Sequence, residues 1–282
     1  MEDTHRTQQL RAIHRELTRA TRAWALRQRV DPEQLRGLRR QAILANHAYY
    51  LEKIPVYRRF AQEEGIGELD DIEPIKHRLM FPDDLFKTYD QRWLDEKHFS
   101  RMNTWLSEIY HQRVSVDVSG ISSIDGWIDR LAESGIRLVY SSGTSGNFSF
   151  VPRSAENLDL LRTVSTFYIA PYLLSTKLGK PLQQRLVRLA CRFLPPETFA
   201  RAGQRVGLSD YDAVFLDFSQ GRTGNQSLEQ ELAPLFRNHT FLYETDLSPT
   251  VLRLATRGPK TEEDRRQLLA LQEVVIGQKE QN

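Results

Sequence analysis

The chain is 282 residues long, 40% hydrophobic and 27% charged, which is ordinary globular material with enough length for one large domain or two small ones. Its 39 basic and 37 acidic side chains leave a net charge of +2, which argues against a protein built mainly to hold nucleic acid, and the single cysteine, Cys191, excludes an internal disulfide. The longest apolar run, near Phe167 to Leu174, is far too short to span a bilayer, and the N-terminus is charged and helical in pattern, so the expectation is a cytoplasmic protein without a membrane span.

The first element predicted is a helix from about Thr4 to Arg29. It carries Arg6, Arg11, Arg15, Arg19, Arg22, Arg27 and Arg29, with Arg36, Arg39 and Arg40 following, and Arg11, Arg15, Arg19 and Arg22 share one face at helical spacing. Such a face is either solvated helix surface or an electrostatic surface for RNA, anionic lipid or an acidic partner. Asp31-Pro32-Glu33 then supplies an N-cap, a first-turn proline and an acidic N-terminus for a second helix running toward Lys53, with Leu38, Ala42, Leu44 or Ala45, and Ala48 to Tyr49 on its packing side. Ile54-Pro55 ends it. Val56 to Glu64 reads as a short helix stopped by Gly65, and Glu68 to Asp84 as an acidic, proline-punctuated connector without periodicity. The chain is thus divided into an arginine-rich helical extension (1–30), a helical region and connector (31–120) and an α/β subdomain (121–282).

From Ser122 onward helices and strands alternate. Ser122-Ser123-Ile124-Asp125 caps a helix with apolar Ile124, Trp127, Ile128 and Leu131, and Gly135 is placed as its C′ residue. Ile136 to Tyr140 reads as a strand and Phe148 to Arg153 as its hairpin partner. Ser154 to Asn157 starts a helix with Leu158, Leu160, Leu161 and Val164. Asp212 to Phe218 and His239 to Glu244 are further strands, followed by a helix at Leu247 to Arg253 and a polar one at Thr261 to Gly277. The alternation predicts an α/β fold: a helical N-terminal region, then a mostly parallel sheet flanked by helices.

Two polar loops follow strands. The first, Ser141-Ser142-Gly143-Thr144-Ser145-Gly146, combines hydroxyl donors with glycines that let the backbone approach an anion, which suits a phosphate. The second is Ser219 to Gln226, where Arg222 is a candidate clamp because a guanidinium binds phosphate or carboxylate bidentately. Ligands of open α/β sheets bind beyond the carboxyl ends of strands, so two loops leaving strands in the same sense can face one crevice. No G-x-x-x-x-G-K-[ST] and no G-x-G-x-x-G occurs, which removes P-loop and standard dinucleotide-binding readings. No H-E-x-x-H, C-x-x-C or G-x-S-x-G occurs either, so no metal site and no catalytic residue is assigned. Cys191, between Arg188 and Arg192, is read as a buried helix cysteine.

Tyr140-Ser141-Ser142-Gly143-Thr144-Ser145-Gly146 resembles the phosphate-loop signature of acyl-adenylate-forming enzymes, within them the phenylacetate-CoA ligases and the acyl-protein synthetases of bacterial luminescence. Ile54 to Phe60 is loosely similar to an early proline- and aromatic-bearing segment of the same family, although Tyr57 and Phe60 are expected in the core. The resemblance covers mainly Ser122 to about Arg257. It implies ATP and magnesium as cofactors, a carboxylic acid substrate, and a thiol acceptor that is coenzyme A or a protein cysteine. It puts Ser141 to Gly146 around the phosphates and Arg153 at the position where many members carry a lysine.

The family's adenine, ribose and C-terminal lysine motifs are not visible in the chain, and Lys279 is not assigned that lysine's role. The expectation is therefore acid activation that is incomplete without further chain or a complementing polypeptide. The alternatives are a catalytically degenerate homologue that binds a nucleotide, and an interaction protein that works through its arginine-rich helices.

Overall fold

The computed structural model describes residues 5–25, 28–79, 84–141, 147–158, 160–161, 211–221, 223, 226, 229–230, 232–246, 248–258 and isolated positions between 262 and 273. It is mixed α/β, with a helical N-terminal region and small sheets. Among the described residues, no helix is long and apolar enough to cross a membrane. The chain separates into two compact units. The first takes the described residues up to Asp83 together with Thr104–Val114; the second takes Asp84–Asn103, Ser115–Arg162 and the described residues from Leu208 onward.

In the first unit α1 (His5–Ala25) and α2 (Pro32–Lys53) form an antiparallel hairpin. The Arg6 guanidinium, near the start of α1, donates to the Ala48 carbonyl at 3.1 Å and pairs with Glu52 and Glu68, which fastens it to the far end of α2. Asp31 caps α2 as expected, accepting from the Glu33 N–H at 3.0 Å, and Pro32 occupies the first turn, where a missing N–H is no loss. Ile54 ends α2 and begins α3 (Pro55–Glu63), and Gly65, at φ 64°, follows α3 in the left-handed region. Tyr57 and Ala61 of α3 bury against Ile66 and Leu79, with Phe60 packed on them, so both aromatics have the core role expected.

The connector read between Glu68 and Asp84 is corrected by α4 (Glu73–Arg78). Six residues are too few to show a period, but the segment has Pro74 in its first turn, Glu73 paired with Lys76 and His77, and Ile75 packed on the Tyr57 cluster.

Buried His47 of α2 joins the same core. Its Nε2 lies 2.7 Å from the Gly67 carbonyl, which can only accept, so Nε2 carries the proton and Nδ1 accepts from the Tyr57 hydroxyl at 2.7 Å. Burial, with Tyr50 alongside, pushes the Tyr57 phenol up to about 12, which keeps that donor protonated.

The second unit begins with a 3-10 turn (Leu85–Lys87), α5 (Arg92–Asp95) and the first residues of α6 (Phe99–Ile109), elements to which the sequence pattern gave no individual assignment. Ser123 caps α7 (Ile124–Glu133) by accepting from the Gly126 N–H at 3.0 Å, and Ile124, Trp127, Ile128 and Leu131 are all buried. Gly135, at φ 82°, turns the chain directly into β1 (Ile136–Ser141). β1 pairs antiparallel with β2 (Ser149–Ser154) in the hairpin expected, from Ile136 opposite Ser154 to Ser141 opposite Ser149.

Trp127 lies under this hairpin with no exposed surface. Its ring stacks on Phe99 at 5.7 Å and meets the face of Phe150 edge-on at 5.5 Å, and its indole N–H donates to Asn103 Oδ1 at 2.8 Å. The Asn103 amide donates in turn to the Val116 carbonyl at 3.0 Å.

β3 (Asp212–Gln220) and β4 (Asn238–Asp246) run parallel, with Phe215 stacked on Phe241 at 5.0 Å. Parallel neighbours need a crossover, and residues 226–235 between them are helical where described. α8 (Pro249–Arg257) closes the unit through Arg253, which donates to Asp95 at 3.0 Å, and Thr250, which bonds Asp125.

Truncation of Trp127 to alanine is expected to destabilise the fold by about 3–5 kcal/mol in urea unfolding. Trp127→Phe keeps an aromatic ring but removes the indole donor to Asn103 Oδ1, so it should lose about 1–3 kcal/mol.

Candidate functional site

The candidate site is where β1 and β3 end. Tyr140, the penultimate residue of β1, forms an isolated parallel bridge with Thr223, three residues beyond the end of β3. Bridged backbones lie about 4.8 Å apart. Ser141 follows at once on one side and the Thr223 turn opens on the other, so the two loops singled out in the sequence start side by side.

Both stems of the first loop are anchored in the core. Tyr140 and Phe148 are almost wholly buried, their rings meet edge-on at 5.6 Å, and the Phe148 carbonyl accepts from the Tyr89 hydroxyl at 3.0 Å. Ser141 is exposed at the end of the strand, opposite Ser149. Ser142, Gly143, Thr144, Ser145 and Gly146 lie outside the described residues, as do Arg222 and Cys191.

Arg153 is exposed on β2 opposite Arg137. It is four residue steps along the strand from Ser149, a span of about 13 Å. Ser141 and the Thr223 turn are thus brought together, and Arg153 lies at the other end of the hairpin.

The second loop is built around a reciprocal cap. Thr223 Oγ1 accepts from the Gln226 N–H at 3.3 Å, while Gln226 Oε1 accepts from the Thr223 N–H at 3.1 Å, the pairing that a Thr-x-x-Gln spacing makes at a helix start. Gln226 is buried, and its amide also donates to Asp217 of β3 at 3.2 Å. Gln230 donates to the Gly221 carbonyl at 3.0 Å. Gly221 has φ 143°, a backbone that favours glycine, and a Cβ there would stand 2.2 Å from Gln226 Oε1, so the end of the Gln226 side chain would have to move out of the turn.

Behind the turn Glu229 adds a carboxyl group with one buried oxygen, Oε2, that makes no hydrogen bond among the described residues. Burial, and secondly the neighbouring Asp217 carboxylate, push the Glu229 carboxyl above its ordinary range. Asp217 and Glu229 are the carboxylates beside this turn; among the described residues no group of three or more His, Cys, Asp or Glu side chains is arranged to hold a metal ion.

The sequence reading singled out neither Gln226 and Gln230 nor the Asp217–Glu229 pair. The Thr223-x-x-Gln226 spacing was the available signal for the first; nothing in the local pattern marks the pair, because its members come from a strand and from the helix after it. Chemically, the arrangement sets an internally capped turn, whose Thr223 and Gln226 N–H groups are already bonded, next to the stem of a hydroxyl-rich loop. Comparison of the chain with models of known protein families, with curated protein sequences and with solved structures finds no match.

Gly221→Ala is expected to lower stability by more than about 1 kcal/mol, since it combines a left-handed backbone with a steric clash; thermal unfolding measures it. Glu229 gives a pH signature. Its carboxyl binds a proton more tightly folded than unfolded, so its contribution is fully present below about pH 4.3 and is lost as pH rises through the raised folded value. The stability of Glu229→Gln minus that of the wild type should therefore increase from pH 4 toward pH 8 in urea unfolding.

Proposed function

We propose that the chain binds the phosphates of ATP between the Ser141 to Gly146 loop and the Thr223 turn, and activates a carboxylic acid as an acyl-adenylate. One observation carries this reading: the Tyr140–Thr223 bridge, which sets the stem of the phosphate-loop-like segment against the start of a capped helix. Two strand ends lie side by side: one is followed by serine, threonine and glycine, which supply the donors a polyphosphate requires, and the other by an internally bonded turn that fixes the wall of the site. The βαβ unit of β3 and β4 supports the finer fold reading, a largely parallel sheet akin to part of an adenylate-forming domain.

In this proposal the backbone N–H groups and hydroxyls of Ser141 to Gly146 hold the β- and γ-phosphates, and Arg222 neutralises charge on the leaving pyrophosphate. The acid's carboxylate oxygen attacks the α-phosphorus, the bond to the β-phosphate oxygen breaks, and the acyl group passes later to a thiol of coenzyme A or of a protein cysteine. Magnesium, when bound, would neutralise the phosphates, and Asp217 is the carboxylate oxygen donor of β3 beside the turn that suits it. The chain's own part is positioning, which the buried stems Tyr140 and Phe148 support by fixing where the loop begins and ends.

A second reading, nucleotide binding without turnover, is favoured by the position of Arg153. The resemblance puts it at the family's lysine, and it stands opposite Arg137 at the far end of the hairpin.

Calorimetry with Mg·ATP is expected to give micromolar binding to the wild type and at least a tenfold loss in Gly143→Val and Thr144→Ala. Pyrophosphate release that depends on an added fatty or aryl acid supports activation. Binding with no acid-dependent release selects the second reading, and absence of binding contradicts both.

A further inference from the structure

We propose that Arg137 and Arg153, directly opposite each other on the β1–β2 hairpin, form a binding site for a dianionic phosphate group, carried by a phosphomonoester or by free phosphate. The register fixes the pair: Arg137 of β1 faces Arg153 of β2, and both are exposed. Opposed residues of antiparallel strands have their Cβ atoms about 5 Å apart, with both side chains standing on the same face of the sheet. The core face of the hairpin is taken by Ile136, Leu138, Tyr140, Phe150 and Pro152, all buried, so the two arginines occupy the other face.

Like charges placed directly opposite repel, and no acid offsets them here. Neither arginine has a hydrogen bond or an ion pair among the described residues. Glu133, four residues before Arg137, pairs with Arg130 at 3.3 Å, and Glu156, three residues after Arg153, makes no ion pair with it. Other arginines without an ion pair are placed differently. Arg15 and Arg19 share their helix with Glu16, three residues from Arg19. Arg101, after Arg92, helps hold the Asp90 carboxyl below its ordinary range, and Arg113 stands in an irregular segment outside any strand pairing.

The backbone on either side holds the pair in place. Gly135, at φ 82°, turns α7 straight into β1 just before Arg137. Ser154, next after Arg153, exchanges hydrogen bonds with Asn157: the Asn157 N–H donates to Ser154 Oγ at 3.2 Å and the Ser154 N–H to Asn157 Oδ1 at 3.4 Å.

Charge and oxygen count select the occupant. A carboxylate or a phosphodiester carries one charge and two free oxygens, which a single guanidinium fork saturates. A phosphate monoester carries close to two charges and three terminal oxygens, so it engages both forks and cancels both charges. The pair is about 13 Å along the hairpin from Ser149, so the site is separate from the Ser141 to Gly146 loop and stands whether or not that loop binds nucleotide.

The test is calorimetric titration of the full chain with inorganic phosphate and with glycerol phosphate at about pH 8, without nucleotide or magnesium and at constant ionic strength set with chloride. The proposal expects a dissociation constant of about 1 mM or tighter, and the tighter of the two ligands identifies the source of the group. Arg137→Gln/Arg153→Gln should weaken binding about tenfold or more, and Gly143→Val, altered only in the loop, should bind as the wild type does. Because the double variant relieves a like-charge pair, it should unfold no earlier than the wild type in the absence of phosphate, which separates lost binding from lost folding. Absence of phosphate binding to the wild type overturns the proposal, as does equal binding by the double variant. Binding lost in Gly143→Val and kept in the double variant overturns it too and assigns phosphate to the loop. Dimethyl phosphate bound as tightly as phosphate contradicts the dianion.

Discussion

The second unit depends on how one indole is buried. Trp127 has no contact with water, and its N–H can be buried at tolerable cost only because Asn103 Oδ1 accepts it, while the other end of the Asn103 amide is satisfied by the Val116 carbonyl. That chain of two bonds fixes α7 against the first turns of α6, and the rings of Phe99 and Phe150 on either side of the indole carry the constraint into β2. Phe150 meets Phe148 and Tyr140, so the aromatic packing extends without a break from the helices to both stems of the Ser141 to Gly146 segment.

From this follows what the strand ends can do. A loop whose two ends are held by buried rings has its start and finish fixed by the core, whatever its middle does. The Tyr140–Thr223 bridge passes this anchoring to the turn after β3, where Gln226 and Gln230 tie the backbone of Gly221 and Thr223. The glycine at 221 is the local condition for it: any side chain would displace Gln226 from the turn it holds. The polar atoms of the turn are bonded internally and hold its shape, and the hydroxyl-rich loop beside it supplies the donors in the proposed phosphate site.

Much of the fold was legible where a local rule sets the structure. Asp31-Pro32-Glu33, Ser123 with Gly126, and Gly135 were readable as caps because capping chemistry involves neighbours within four residues. The hairpin of Ile136 and Ser149 showed in its alternation of apolar and polar positions. α4 was not legible, because six residues hold less than two turns and its stability comes from Ile75 packing on Tyr57 and Ala61, which are distant in sequence. His47 was equally silent: its two partners, Tyr57 and Gly67, are 10 and 20 residues away, and no spacing rule links them. At the site, the likelihood of an anion loop could be read from composition, whereas the adjacency of Tyr140 and Thr223 is a tertiary fact, and the separation of Arg153 from the loop appears only once the hairpin register is known.

The central claim is that the two loops act as one phosphate site, and hydrogen exchange with and without Mg·ATP addresses it directly. The account predicts slowed exchange in residues 141–147 and 221–226 together, with the strand around Arg153 unchanged. Slowing in only one of the two loops, or in neither while nucleotide is bound, would contradict it.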